Sequence, residues 1–230
     1  MPTAKARVGP DSALAKGVQD VKPQATTGPI RVALIEDDER VRLAIAFQLR
    51  TAGFEVDSYA SAEELLEASD SKEFDCIVAD IYLPRMNGLQ LQEELNRKVP
   101  NTSIVFITGH GDLSLGMHAM RKGAVDFLEK PLDDRALLSS ITRGAHLSRT
   151  RRGEQFERTE LEERQRALTS REREVFALIT TGLLNKQVGA KLGTTERTVK
   201  AHRASVMNKM GADSLAELVR MAGILHLHSS

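Results

Sequence analysis

The chain of 230 residues is 41% hydrophobic and 28% charged with a formal net charge of zero, globular content sufficient for one large domain or two small ones. The zero hides a division: 12 basic against 20 acidic residues lie between Ile30 and Arg135, and 10 against 5 between Gln165 and Ser230, so an acidic body precedes a basic one. One cysteine, Cys76, excludes an intrachain disulfide framework and a cysteine-built metal cluster, and no apolar run approaches the roughly 18 residues of a membrane span.

Residues 1–29 mix Ala, Lys, Gly, Pro, Gln and Thr without apolar periodicity or a signal-peptide core. A disordered arm and a cytoplasmic protein with no membrane contact are expected. From Ile30 onward the β-rich runs RVALI, FEVDSY, CIVAD, SIVFI and AVDFL alternate with segments whose apolar residues recur at helical spacing. Strict alternation predicts a doubly wound α/β domain over residues 30–147, a five-stranded parallel sheet covered by helices on both faces. Its last helix should begin near Asp133 and run past Ala145. Residues 148–167 are rich in both charge signs and read as a solvated helical linker; Leu147, Leu161 and Leu168 stand in heptad phase, but Glu154 interrupts the series. Four helical segments follow, SREREVFALITTG, NKQVGAKLG, TERTVKAHRASVMNKMG and DSLAELVRMAGIL. Gly182, Gly193 and Gly211 end the first three, so residues 168–230 should form an all-α domain.

In a parallel sheet, ligands bind at the carboxyl ends of the strands. Those ends carry Glu36 and Asp37 after RVALI, Asp80 in CIVAD, Thr108 after SIVFI and Lys130 after AVDFLE. Carboxylates brought so close persist only if a cation neutralises them or protons are retained, and an oxygen-only donor set suits Mg²⁺. Asp80 is then a nucleophile toward a phosphoryl group, with Thr108 and Lys130 stabilising the equatorial oxygens.

These residues closely resemble response-regulator receiver domains, with their flavodoxin-like fold. ALIEDDERVR resembles the acidic-pair segment, VADIYLPRMNG the phosphoacceptor segment, ITGHGD the threonine segment and VDFLEKPL the lysine-proline segment. The resemblance implies Glu36 and Asp37 as the acidic pair, the Tyr82 carbonyl as a metal ligand beside Asp80, a cis Lys130-Pro131 peptide, and Phe127 as the aromatic that moves with Thr108. Tyr82 and His110 are expected to shield the acyl phosphate from water. Phosphatases of the haloacid-dehalogenase type use similar groups, but need a general acid two residues after the nucleophile. Tyr82 stands there, so turnover on external esters is not expected and the chain is not read as an enzyme.

In the basic domain, NKQVGAKL, the Gly193 turn and a helix capped by Thr194 or Thr195 form a helix-turn-helix pattern. On the second helix Val199, Val206 and Met210 share an inward face; Arg197, Lys200, Ala201, Ala204 and Asn208 share the outward one. That face suits a DNA groove, with cations for guanine or phosphate and alanines allowing close approach. The segment resembles LuxR/FixJ-type output domains, which implies that Lys186, Thr195, Arg197, Thr198, Lys200, His202 and Arg203 lie near DNA. His202 either faces DNA or packs inward. The last helix, Ser214 to Leu225, is by resemblance a dimer surface. The implied partners are a sensor histidine kinase, double-stranded promoter DNA, RNA polymerase and, on phosphorylation, a second copy of the chain.

Overall fold

Strands β1 (Arg31–Ile35), β2 (Glu55–Tyr59), β3 (Cys76–Asp80), β4 (Ser103–Thr108) and β5 (Asp126–Glu129) pair in parallel in the order β2-β1-β3-β4-β5. The computed structural model describes residues 28–69, 71–109 and 113–226; most of the expected arm, and His110, lie outside the described residues. The central β3 and β4 are buried along their whole length, the reason their sequences run apolar without alternation.

Period-two alternation still sorts the side chains of β1. Ala33 and Ile35 face a core completed by α2 (Ala62–Ala68), α3 (Gly88–Lys98) and α4 (Leu113–Arg121), where Leu65, Leu91, Leu95 and Phe106 are buried. Val32 and Leu34 face the opposite core, built with α1 (Glu39–Thr51) and α5 (Asp134–Arg166) from Ile45, Leu49, Leu137 and Ile141. Each such fully buried side chain contributes about 1.5–3 kcal/mol relative to exposure. The parallel register sets the strand ends level: Ile35 pairs with Ala79, Asp80 with Ile107, and Thr108 with Glu129.

Helix α5 differs from the expected helix-then-linker division, because 33 residues form one unbroken helix. Asp133 starts it, its side chain accepting the Ala136 N–H at 2.8 Å. The helix lies close on the sheet at Gly144, where a Cβ would stand 2.9 Å from Cys76 Sγ. Its far end enters a third core with Leu161 and Leu168 buried, so two of the three heptad leucines pack within their own chain. That core is completed by Val175, Phe176, Val188, Val199, Val206, Met210 and Leu218 from α6 (Ser170–Ile179), α7 (Asn185–Leu192), α8 (Glu196–Met210) and α9 (Leu215–His226).

Ile141, fully buried between α5 and the sheet, is the sharpest probe of this packing. Ile141→Ala should destabilise the α/β unit by about 2–5 kcal/mol, measured as a lower urea midpoint for that unit.

Candidate functional site

At the carboxyl edge of the sheet the ammonium of Lys130 lies between two carboxylates, 2.5 Å from Asp80 Oδ2 and 2.6 Å from Glu36 Oε2. The other Asp80 oxygen, Oδ1, accepts the Tyr82 N–H at 2.8 Å. Asp80 is 6% exposed, Glu36 is buried, and Thr108 is fully buried on the neighbouring strand end. Burial pushes the Glu36 carboxyl above its ordinary value, more than the hydrogen bond from Lys130 pulls it down. Burial also works against the Lys130 ammonium, but its hydrogen bonds to Asp80 and Glu36 outweigh that and raise its pKa. Lys130-Pro131 is cis.

Local structure explains why these groups stand here. Asp38 is taken up as the N-cap of α1, accepting from the Arg40 and Val41 N–H groups, which leaves Glu36 as the acid of this segment that reaches Lys130. Arg42, on the first turns of α1, donates to the Glu36 carbonyl at 2.6 Å and the Asp37 carbonyl at 3.2 Å, fixing the acid loop. Gly88 admits the return of the β3–α3 connection: a Cβ there would stand 2.9 Å from Ile81 Cα and 3.1 Å from the Asp80 carbonyl. Asp37 is exposed beside this edge, and Tyr82 is half exposed. Among the described residues no three Asp, Glu, His or Cys side chains converge as a closed cage. The donors are nonetheless all oxygen, and an ammonium bridging two of them shows that the pocket demands positive charge; this fits a hard cation that keeps several waters.

Phe127, on β5, packs partly buried against the α2–α4 core with its ring over Gly116 of α4. Beside it opens a cleft of about 430 Å³ lined by Met117, Met120, Arg121 and Asp126.

In the basic domain, α7 and α8 meet through Gly193, whose backbone is left-handed at φ 62°, and through Gly189, where a Cβ would stand 2.9 Å from the Thr194 carbonyl. Thr195 caps α8, accepting the Thr198 N–H. Arg197, Lys200, Ala201, Ala204 and Asn208 are all exposed along one face of α8, with Thr195 and Thr198 exposed at its start and Lys186 exposed on α7. His202 and Arg203 are half-buried, and Arg203 donates to Asn185 Oδ1 at 3.3 Å. On α9, Leu218, Met221, Ala222 and Leu225 turn inward, while Val219 remains exposed.

Comparison with known proteins meets this geometry in both halves. Residues 32–142 match the family described as response regulator receiver domain, and residues 166–222 match bacterial regulatory proteins of the luxR family. The transcriptional regulatory protein FixJ of Azorhizobium caulinodans is 41% identical over 83% of this chain and 90% of its own. The chain belongs to the response regulators with a LuxR-type output domain. Among solved structures, the response regulator StyR covers 85% of this chain and 98% of its own at a TM-score of 0.74 and 39% identity. Full-length FixJ from B. japonicum covers 86% and 97% at 0.53 and 34%. Receiver and output domain thus stand on one two-component, DNA-binding architecture.

At the two sites of this response regulator, Arg42 and Glu172 escaped the sequence reading. Arg42 had no local signal, since its task depends on how α1 meets the acid loop. Glu172 did have one: Thr169 and Glu172 form a capping box at the start of α6. Its carboxylate also accepts from Ser205 Oγ and Lys209 Nζ of the candidate recognition helix, each at 2.6 Å, so it orients α8 on α6. The Lys209 hydrogen bond, then those of Ser205 and the Thr169 N–H, lowers its pKa from 4.5 to about 2. A depressed carboxylate stabilises the fold above its unfolded value and loses that contribution as pH falls through the folded one. The stability gap between the natural protein and Glu172→Gln, measured by urea unfolding of the output domain, should therefore hold from pH 7 to about 5 and close between about 4.5 and 2.

Proposed function

We propose that this response regulator accepts a phosphoryl group on Asp80 from a sensor histidine kinase, pairs with a second copy of itself, and binds promoter DNA through α8, with RNA polymerase the next partner. The observation that carries this reading is the Lys130 ammonium shared by Asp80 and Glu36 at one sheet edge, level with Thr108. An Asp80 oxygen attacks phosphorus, the phosphorus–nitrogen bond to the kinase's histidine breaks, and the departing imidazole nitrogen takes up a proton. Lys130 then shifts from carboxylate to phosphoryl oxygen, and Thr108 turns to donate to another, with Phe127 following. Mg²⁺, held by Glu36, Asp37, Asp80 and the Tyr82 carbonyl, would neutralise the charge that carboxylates and phosphate bring together. No acid stands near the donor side two residues beyond Asp80, so the site receives a phosphoryl group rather than turning over substrates.

One recognition helix reads only a few base pairs, and two half-sites a DNA turn apart call for two copies of the chain. Pairing raises the effective concentration of the second helix at the operator without new DNA contacts. With such action in the cell's own DNA compartment, and no described helix long and apolar enough to span a membrane, the proposed location is the cytoplasm.

Treatment with a small phosphodonor and Mg²⁺ should place one acyl phosphate on Asp80, seen by mass spectrometry and lost with chelator or in Asp80→Asn. Sedimentation should show monomer converting to dimer with beryllofluoride; label persisting in Asp80→Asn, or a dimer indifferent to it, would overturn the reading.

On the DNA side, Lys200→Ala should relax preference at one base position and cost about 1–3 kcal/mol. Arg197→Ala should weaken all sequences alike and flatten the salt dependence. Titration of operator and random duplexes at several salt concentrations separates the two effects.

A further inference from the structure

Helix α5 is fastened separately to each domain. On the receiver side Leu137, Ile141 and Ala145 are buried, and Ser148 Oγ accepts the Ser103 N–H at 2.8 Å. Over the next turn, beginning at the adjacent residue, Asp75 accepts from Arg149 at 2.6 Å, from Arg152, and from the Arg31 N–H at 3.0 Å, while Arg152 also donates to the Phe74 carbonyl at 2.9 Å. Burial would raise the Asp75 carboxyl, but these hydrogen bonds more than offset it and hold the group below its ordinary value. The receiver clamp therefore reaches Arg152.

The output clamp begins at Glu157, which accepts from Arg220 of α9 at 2.6 Å. Leu161 is buried in the output core and Arg164 donates to the Met210 carbonyl at 3.0 Å. Between the clamps stand Gly153, Glu154, Gln155 and Phe156, about one helical turn, and none of them belongs to either core. Phe156 is 69% exposed.

Gly153 is required by neither packing nor backbone. A Cβ there would meet nothing within 4 Å, and its φ is not positive, whereas Gly144 on the same helix is dictated by Cys76. What remains is the effect of glycine on helix formation, a penalty of about five-fold relative to alanine, placed in the one turn of α5 that tertiary contacts among the described residues do not support. We propose that the turn Gly153–Phe156 is the hinge of this response regulator, about which the output domain changes direction relative to the receiver. The α5 segments on either side act as rigid levers. A bend of about 20° there would displace the end of the following ten-residue lever by about 5 Å. Resting on the reading that Asp80 phosphorylation governs DNA binding, such a bend converts a change at the receiver surface into a change in the spacing of two output domains.

The test uses full-length protein with spin labels at Glu67→Cys on α2 and Ala190→Cys on α7, both exposed, diluted with unlabelled chains so that only intrachain distances are read. Native Cys76 stays unlabelled, since it is buried and its thiol is pushed up to about 12. Pulsed electron resonance should show the distance distribution narrowed about two-fold by Gly153→Ala and broadened about two-fold by Asp75→Asn, which shortens the receiver clamp. Thr142→Ala, exposed on the clamped part of α5, should leave it unchanged. A width indifferent to Gly153→Ala, or narrowed equally by Thr142→Ala, overturns the hinge. Dimerisation by beryllofluoride without a shift of the mean distance overturns its part in signalling. A receiver that does not respond to beryllofluoride at all overturns the phosphoacceptor reading instead, and the width comparison still decides the hinge.

Discussion

Two buried carboxylates at one sheet edge repel each other, and the fold tolerates them here because one ammonium, that of Lys130, serves both. The arrangement depends on register. Ile35 lies opposite Ala79 and Thr108 opposite Glu129, so Glu36 after β1, Asp80 at the end of β3 and Lys130 after β5 arrive at one edge of the sheet. A shift of one residue in any pairing would turn Asp80 or Lys130 to the other face of the sheet. The alternating core side chains of β1 hold that register from both sides, which ties the chemistry at the edge to packing far beneath it.

The second organising element is α5, which belongs to two cores. Its first half completes the α1 side of the sheet and its last turns close the output core with Leu161, joined by Leu168 just past the helix end. A helix anchored at both ends carries orientation as well as length, and on the receiver side the direction of α5 is fixed as far as Arg152 by side chains, Asp75 foremost. Surface ion pairs contribute little on their own; this one gathers two guanidinium groups and a backbone N–H on a buried carboxylate, a geometry that specifies direction rather than adding stability. On the output side Glu172 plays the comparable part, fixing α8 on α6 so that Arg197, Lys200 and Asn208 project together.

The order of β-rich and helical runs, the acids at strand ends and the glycine turn before α8 are local signals. They were legible because each depends on residues near in sequence: alternation, capping and turn chemistry. The heptad leucines show where such reading stops. Leu161 and Leu168 carry the spacing of a coiled-coil seam, yet they are consumed by a core whose other side comes from residues up to Leu225, and spacing along one helix cannot reveal what faces it. Arg42 and Asp75 were invisible for the same reason, since the partners that give them meaning are backbone groups and guanidinium ions brought near by folding.

The sequence by itself determined that a sheet edge bearing acids and a lysine, and a helix-turn-helix, would form, because strand periodicity, caps and left-handed glycines act within a few residues. Only the tertiary structure decided that Lys130 would bridge Asp80 and Glu36 across 50 and 94 residues of chain, and that receiver and output domain would share one continuous helix. Those outcomes rest on which faces meet. Packing chooses among the many pairings that the same local pattern allows, and it does so only when both partners are present.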